Sequence, residues 1–334
     1  MKSVCIKTSL IIPAWNAEKT IEECLLSALT ATKCPDEIIV VDDLSSDETK
    51  KKVIKLSVKY SKIKLIALKI RSGPANARDI GAKKARGKII FFTDSDVLIL
   101  KDTFSNALKT KKKYNADALS GIYSWEPANP GNAQFYKALF FNYHFIRHKE
   151  PFEYETFNGQ IAMIKKSVYK STGGYNSEIK WGTDNENEEF GRRINKNFKL
   201  YLDPYFQVKH NFPGFLRLTR TYFFRVSTYM YIFFSNCKFE SKGGAAADVG
   251  AATISVFLCV TSLVLAILIS SFFYYLVLLF VGIWLFLTRN FFLFVYKYKG
   301  SFVFNAILMN FWFSNIISLG AIWGTLKWLG GRRD

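Results

Sequence analysis

Gly87-Lys-Ile-Ile-Phe-Phe-Thr-Asp-Ser-Asp96 is an apolar run that ends in two carboxylates, Asp94 and Asp96, separated by Ser95. A strand buried on both faces of a parallel sheet reads as such a continuous apolar run. Ligands bind beyond the carboxyl ends of these strands. Two aspartates one residue apart at that edge suit a hard divalent cation that also grips phosphates. The same tripeptide also suits a solvated turn or a helix cap, so the surroundings must decide.

Upstream, apolar strands and helical periodicities alternate. Thr8–Ile12 reads as a strand closed by Pro13, and Ile21, Leu25, Ala28 and Leu29 recur at helical spacing with Asn16 as cap. Glu37–Val41 is a second strand ending in Asp42-Asp43, followed by a Ser45/Glu48 capping box. Ile63–Leu68 is a third strand, Pro74–Ala85 a helix with Gly87 beyond its end, and Lys88–Phe92 the fourth strand. This order predicts an α/β fold with a mostly parallel, Rossmann-like sheet. Neither GxGxxG nor a Walker A sequence is present, so the usual dinucleotide and P-loop readings lack support. Polar residues gather at the strand ends: Pro13, Ala14 and Asn16, then Asp42 and Asp43, then Asp94 to Asp96, with Arg78 on the helix leading into the fourth strand. An Asp accepts from a base ring N–H, and an Arg faces base or phosphates, so this edge suits a nucleotide.

Four segments in this order, Thr8–Asn16, Glu37–Ser46, Gly73–Gly81 and Thr93–Asp96, resemble the family 2 glycosyltransferases. The resemblance covers roughly residues 5–230. It continues in Phe157–Lys166 and Gly173-Gly-Tyr175, which look like the family's acceptor-side strand and turn, with Asn158 and Gly159 within them. It implies a GT-A fold and sugar transfer from a nucleotide diphosphate sugar, with Mn²⁺ or Mg²⁺ as cofactor. It implies that Pro13, Ala14, Asp42 or Asp43, and Arg78 hold the nucleoside. It further implies that Asp94 touches ribose or metal, that Asp96 ligates metal and that His210 completes the metal or diphosphate site. Trp181–Arg193 resembles the family's Glu-Asp base motif, with Glu186 at the Glu position and Asn187 at the Asp position. Asn cannot act as a base, which leaves Glu186 first and Asp184 second. Trp181, Arg217 and Arg220 are expected on the acceptor side. Phe215-Leu-Arg-Leu-Thr-Arg220 stands where processive members carry Gln-x-x-Arg-Trp, which argues against a polymer-extruding synthase.

The rest of the chain is read from composition. The chain has 334 residues and a formal net charge of +19. From Val249 to Leu287 there is hardly a charge, and Phe302–Leu326 is again apolar. Roughly 20 apolar residues cross a bilayer, so two or three helices are expected at about 249–269, 272–288 and 302–326. No amino-terminal signal peptide is evident before Pro13, and five cysteines without regular spacing read as reduced. Arg217, Arg220 and Arg225 alternate with aromatic residues, the composition of a helix lying on a membrane surface. The expected division is a catalytic domain at 1–210, interface helices at 211–240 and a transmembrane region at 241–334. The third apolar stretch is awkward: crossing there would put Lys327, Arg332 and Arg333 opposite the basic Arg289–Lys299 loop, against the positive-inside rule.

The leading expectation is a multi-pass membrane enzyme, with its catalytic domain cytoplasmic, that adds one sugar to a lipid-linked saccharide with inversion. A polyprenyl phosphate acceptor is the alternative, since it is already an anion and needs no strong base. A non-catalytic nucleotide-sugar-binding scaffold is the alternative from another class. Nucleic acid fits the basic balance but not the spans.

Overall fold

The computed structural model describes residues 7–176, 185–236 and 247–330. They fall into two compact units, one containing the residues up to Ser124 with those of His148–Asn211, the other Trp125–Arg147 with those from Phe212 onward.

The first unit is built on β1 (Thr8–Ala14), α1 (Ile21–Thr30), β2 (Glu37–Asp42), α2 (Thr49–Lys59), β3 (Ile63–Ala67), α3 (Pro74–Lys84), β4 (Ile89–Thr93), β5 (Val97–Ile99), α4 (Thr103–Tyr114) and β6 (Ala118–Tyr123). The helix α5 (Asn132–Ile146) belongs to the second unit. The first unit resumes with β7 (Phe152–Glu153), β8 (Ile161–Lys165), α6 (Lys166–Ser171), α7 (Asn185–Asn195) and β9 (Leu200–His210). The described strands form one sheet in the order β3-β2-β1-β4-β8-β6-β9-β5, with β7 against β9. The first four are parallel, as crossover helices require, and β8 enters antiparallel between β4 and β6. Successive strand side chains point to opposite faces. Leu10 and Ile12 therefore join one core beneath α1, while Ile11 joins a second core with Ala82.

Two expected helix starts differ. The first helix begins at Ile21 after Thr20, with no side-chain cap. Asn16 instead accepts from Ser46 N–H at 2.9 Å, while its own N–H donates to the Ser45 hydroxyl. The Ser45/Glu48 capping box does not form, and the second helix begins at Thr49. Asn16 and Ser45 satisfy each other's loops across two strand ends, so neither is left to cap its own helix.

At the opposite end of the sheet, Glu37 is buried and accepts from Ser9 Oγ at 2.7 Å, Arg86 N–H at 2.6 Å and Lys64 Nζ at 2.8 Å. Burial opposes its charge, but the bonds from Lys64, Arg86 and Ser9 outweigh burial and hold the carboxyl down from 4.5 to about 2. A depressed carboxyl stabilises the fold above its unfolded value, and that contribution fades as pH falls from 4.5 toward 2. It is worth on the order of 2–3 kcal/mol. Glu37→Gln is expected to melt lower than the parent at neutral pH and to lose less on acidification through that window. Parallel loss of melting temperature by the two proteins across that pH window would refute this contribution of Glu37.

The second unit continues with α8 (Phe215–Asn236), α9 (Ala247–Leu268), α10 (Phe273–Lys299) and α11 (Val303–Leu329). Asp248–Leu268 and Phe273–Leu329 are long and apolar enough to cross a membrane. Tyr136 of α5 lies in this unit's core with Trp284, Phe291 and Phe313. His144 is buried there too, between the rings of Phe140 and Tyr143. Among the described residues Cys24, Cys34 and Cys259 are free thiols.

Candidate functional site

The carboxyl ends of β1, β2 and β4 lie side by side, with Ala14 opposite Asp42 in the register. Pro13 and Ala14 are buried there. The two aspartates after β2 have different work. Asp43 fastens the start of α3: its carboxylate accepts from Ser72 N–H at 2.7 Å, Ser72 Oγ at 3.1 Å and Gly73 N–H at 2.8 Å. Gly73 has φ +84°, so the turn that Asp43 grips is a glycine conformation. Asp42 is 2% exposed, and only its Oδ2 has a contact, a long one at 3.4 Å from Ser45 N–H. Its Oδ1 is buried without a protein partner. A buried acceptor left unmade is costly, so Asp42 is the strand-end carboxylate with bonding capacity for a ligand N–H or O–H.

Arg78 is carried by α3 directly against the sheet. Gly81, one turn further on, meets Ile11 and Val41 where any Cβ would collide, so the helix lies close on β1 and β2. Arg78 is 3% exposed and donates to Asp94 Oδ1 at 2.6 Å. Burial opposes its charge, but Asp94, with Tyr175 and Glu186 also nearby, keeps the guanidinium firmly protonated.

His210 reaches the aspartates by strand pairing. β5 leaves directly from Asp96, and its antiparallel register with β9 sets Val97 opposite His210. His210 Nε2 comes to 3.4 Å from Asp96 Oδ1, and its ring packs 4.7 Å from the ring of Tyr123. Asn211 then locks the turn by two bonds to the Asp96 carbonyl, at 3.0 Å from N–H and 2.9 Å from Nδ2. One ligand atom each from Asp94, Asp96 and His210 lies within 4.8 Å of the others. Two carboxylates and an imidazole fit Mn²⁺ or Mg²⁺ completed by phosphate oxygens. Enclosure by the surrounding chain holds the Asp96 carboxyl above its usual range; Asp94 adds to the effect and His210 opposes it.

A second cluster backs this edge. Glu186 and Asn187, at the start of α7, are each 3% exposed. Asn187 Oδ1 accepts from Gly159 N–H and from Tyr175 O–H, both at 3.3 Å. A Cβ on Gly159 would fall 2.5 Å from Tyr175 Oη and 3.0 Å from both Arg78 Cζ and Asn187 Oδ1, so only glycine fits this junction. Asn158 bonds inward to Ser120 Oγ and the Gly121 carbonyl. Glu188 and Glu189 turn to Arg192 and Arg193 on their own helix. Arg193 also holds the carbonyls of Thr172 and Gly174, which ties α7 to the turn before Tyr175.

The predicted residues thus separate into groups. Asp42, Arg78, Asp94, Ser95, Asp96 and His210 line the strand-end region, with Glu186 and Gly159 behind Arg78. Asn16 and Asp43 are engaged in holding loops. Asp184 and Trp181 lie outside the described residues. Arg217 and Arg220 are exposed on α8 of the helical unit. Tyr175 and Asn187 emerge as a pair that no local pattern joined, because their contact depends on the packing of α7 against the turn at Gly159.

This arrangement is that of a GT-A type α/β fold. Residues 9–173 match the family described as Glycosyl transferase family 2. These residues, just under half of the chain, carry a glycosyl transferase family 2 domain. It is 36% identical over 115 residues to the UDP-Glc:alpha-D-GlcNAc-diphosphoundecaprenol beta-1,3-glucosyltransferase WfgD of Escherichia coli, covering 34% of this chain and 45% of that protein. It is also 36% identical over 118 residues to the poly(ribitol-phosphate) beta-N-acetylglucosaminyltransferase TarS of Staphylococcus aureus, covering 34% of this chain and 20% of TarS. The chain therefore spans less than half the length of these curated relatives. In fold it is similar to the mannosyltransferase PcManGT of Pyrobaculum calidifontis, solved with GDP-Man and Mn²⁺. That likeness has a TM-score of 0.58 at 18% identity and covers 93% of this chain and 88% of that one.

Proposed function

We propose that this chain is a membrane-bound, metal-dependent, inverting glycosyltransferase that moves one sugar from a nucleotide diphosphate sugar to a lipid-linked acceptor. The observation that carries this reading is the convergence of an unpartnered buried Asp42 oxygen, the Arg78–Asp94 pair and the Asp96–His210 pair along one sheet edge. Asp42 would accept from the base. Arg78, fixed by Asp94, would lie along the nucleoside. Asp94, Asp96 and His210 would hold the cation, which neutralises charge developing on the departing diphosphate. The activities of WfgD and TarS support the donor by sequence likeness, and the Mn²⁺ in the PcManGT complex supports the metal by likeness of fold.

The state of Asn187 favours one acceptor over the other. Its side-chain oxygen is engaged by Gly159 and Tyr175 and has no acid function, and Glu186 is buried beside Arg78. An alcohol acceptor requires a base to take its proton, whereas a polyprenyl phosphate arrives ionised. We therefore place polyprenyl phosphate ahead of the lipid-linked saccharide.

Membranes carrying the chain, given labelled UDP- and GDP-sugars with Mn²⁺, are expected to form an organic-extractable product that is lost with EDTA. Absence of product from every donor and acceptor would refute the transferase reading. Asn187→Asp separates the acceptors. The added charge is expected to slow transfer to polyprenyl phosphate by repulsion. A gain in rate on a lipid-linked saccharide would instead reveal a missing base and sink the phosphate reading.

A further inference from the structure

The helical unit contains a conflict that its own contacts resolve. By length and apolarity α11 qualifies as a membrane span. Yet α8 lies beside it in the same direction. The rings of Phe215 and Trp312 are 5.7 Å apart, and Trp312 Nε1 donates to Thr219 Oγ1 at 3.1 Å. A Cβ on Gly320 would fall 2.5 Å from the Phe223 carbonyl oxygen, Gly324 presses equally on the Ser227 backbone, and Phe234 stacks on Trp328 at 4.6 Å. Glycines four residues apart let the two backbones touch. Whatever depth residues 312–328 reach, residues 215–234 reach it too. Arg217, Arg220 and Arg225 lie in that stretch of α8 and are exposed. Exposed arginines at hydrocarbon depth are strongly disfavoured.

The path of α11 over its neighbours agrees. Its Asn310 accepts from Trp284 Nε1 of α10 at 2.9 Å, and its Ser318 donates to the Thr253 carbonyl of α9 at 3.3 Å. Eight residues of helix advance about 12 Å, little more than the 8–10 Å between packed helix axes. Thr253 and Thr288 line the same cavity with Asn310 and Ser314, so α9 and α10 are met at one level. The helix therefore passes across the α9–α10 hairpin rather than back along it. Trp312, Trp323 and Trp328 are 46%, 47% and 43% exposed and spread along its length. Tryptophans favour the membrane–water interface, and a span would gather them at its ends. Neither α8 nor α11 contains an acidic residue.

We infer that α8 and α11 form a paired layer lying in the plane of an anionic lipid interface, and that only the α9–α10 hairpin crosses the bilayer. The partner of this surface is the headgroup–acyl boundary of an acidic phospholipid leaflet, matched by Arg217, Arg220, Arg225 and Lys327 with the intervening aromatic rings. The positive-inside conflict then disappears, because Lys297, Lys299 and Lys327 stay on one side. The inference is independent of the transferase reading.

The test uses the full chain in sealed membrane vesicles of both orientations. In a background with its cysteines replaced by alanine, Ser301→Cys and Leu329→Cys are expected to react with an impermeant maleimide from the same face. Ser270→Cys, at the hairpin tip, is expected to lose labelling from that face and to react only from the other. Labelling of Leu329→Cys only from the face that labels Ser270→Cys would overturn the inference, as would labelling of all three from one face. A second measurement keeps every native cysteine: an epitope tag fused after Asp334 is expected to be removed by protease added to the face that labels Ser301→Cys. Protection of the tag there would equally overturn it.

Discussion

Asp96→Asn is expected to lower sugar transfer on the order of a hundredfold to a thousandfold, the usual cost of removing one fixed electrostatic contact to developing charge. The chain should fold unchanged. The Asp96 side chain is 40% exposed, and the bonds that hold this turn go to its backbone carbonyl, which the substitution keeps. Partial burial and Asp94 raise the carboxyl above its usual range while His210 opposes them, so removing its charge relieves desolvation and the repulsion from Asp94 and gives up the attraction of His210. The melting temperature is therefore expected to stay close to the parent's while activity collapses. Titration with Mn²⁺ should show half-saturation displaced to higher concentration. Activity within a few-fold of the parent at limiting Mn²⁺ would remove Asp96 from the site. His210→Ala should move half-saturation in the same direction by less, since an imidazole contributes no charge.

The contrast between these residues and their neighbours shows how much the sequence disclosed. The strands up to β4 and their helices were legible because buried parallel strands are continuous apolar runs and their crossover helices repeat at 3.6 residues. The Asp94–Asp96 pair was legible because it directly follows such a run. The route of His210 to Asp96 was suggested only by family likeness, since it depends on β9 pairing with β5, a register that alternation does not fix. Likewise nothing local announces that β8 inserts antiparallel between β4 and β6. The choice between Asp42 and Asp43 stayed open for a related reason. Adjacent residues on a strand end point opposite ways, and only the position of Ser72 and Gly73 shows which one is occupied by the loop. No local pattern discloses where α5 packs, because the partners of its Tyr136, Phe291 and Phe313, lie far along the chain.

Arg78→Met is expected to be the most destabilising single change in the site, lowering stability by about 3–5 kcal/mol. Methionine fills much of the same volume, so the loss is one of charge. The guanidinium is 3% exposed, bonds Asp94 at 2.6 Å and feels the charge of nearby Glu186, itself 3% exposed. Without it, two carboxylates remain near each other, one of them buried, and the Tyr175 ring, whose centroid lies 5.9 Å from the guanidinium, loses its cation. A cost of that size approaches the whole stability of many domains, about 5–15 kcal/mol, and should lower the melting temperature by roughly 10 °C or more. The comparison that identifies the cause is the double variant. Glu186→Gln alone is expected to be mild, because Arg78 keeps Asp94. Combined with Arg78→Met it should restore part of the lost stability, since one of the two carboxylates near the lost cation is gone, yet leave transfer abolished. Strict additivity of the two changes would mean that Glu186 does not depend on Arg78. Equal stability of Arg78→Met and the parent would mean that the guanidinium is held for the ligand alone. Recovery of stability without activity would assign Arg78 both tasks, neutralising the buried acid behind it and positioning Asp94 in front.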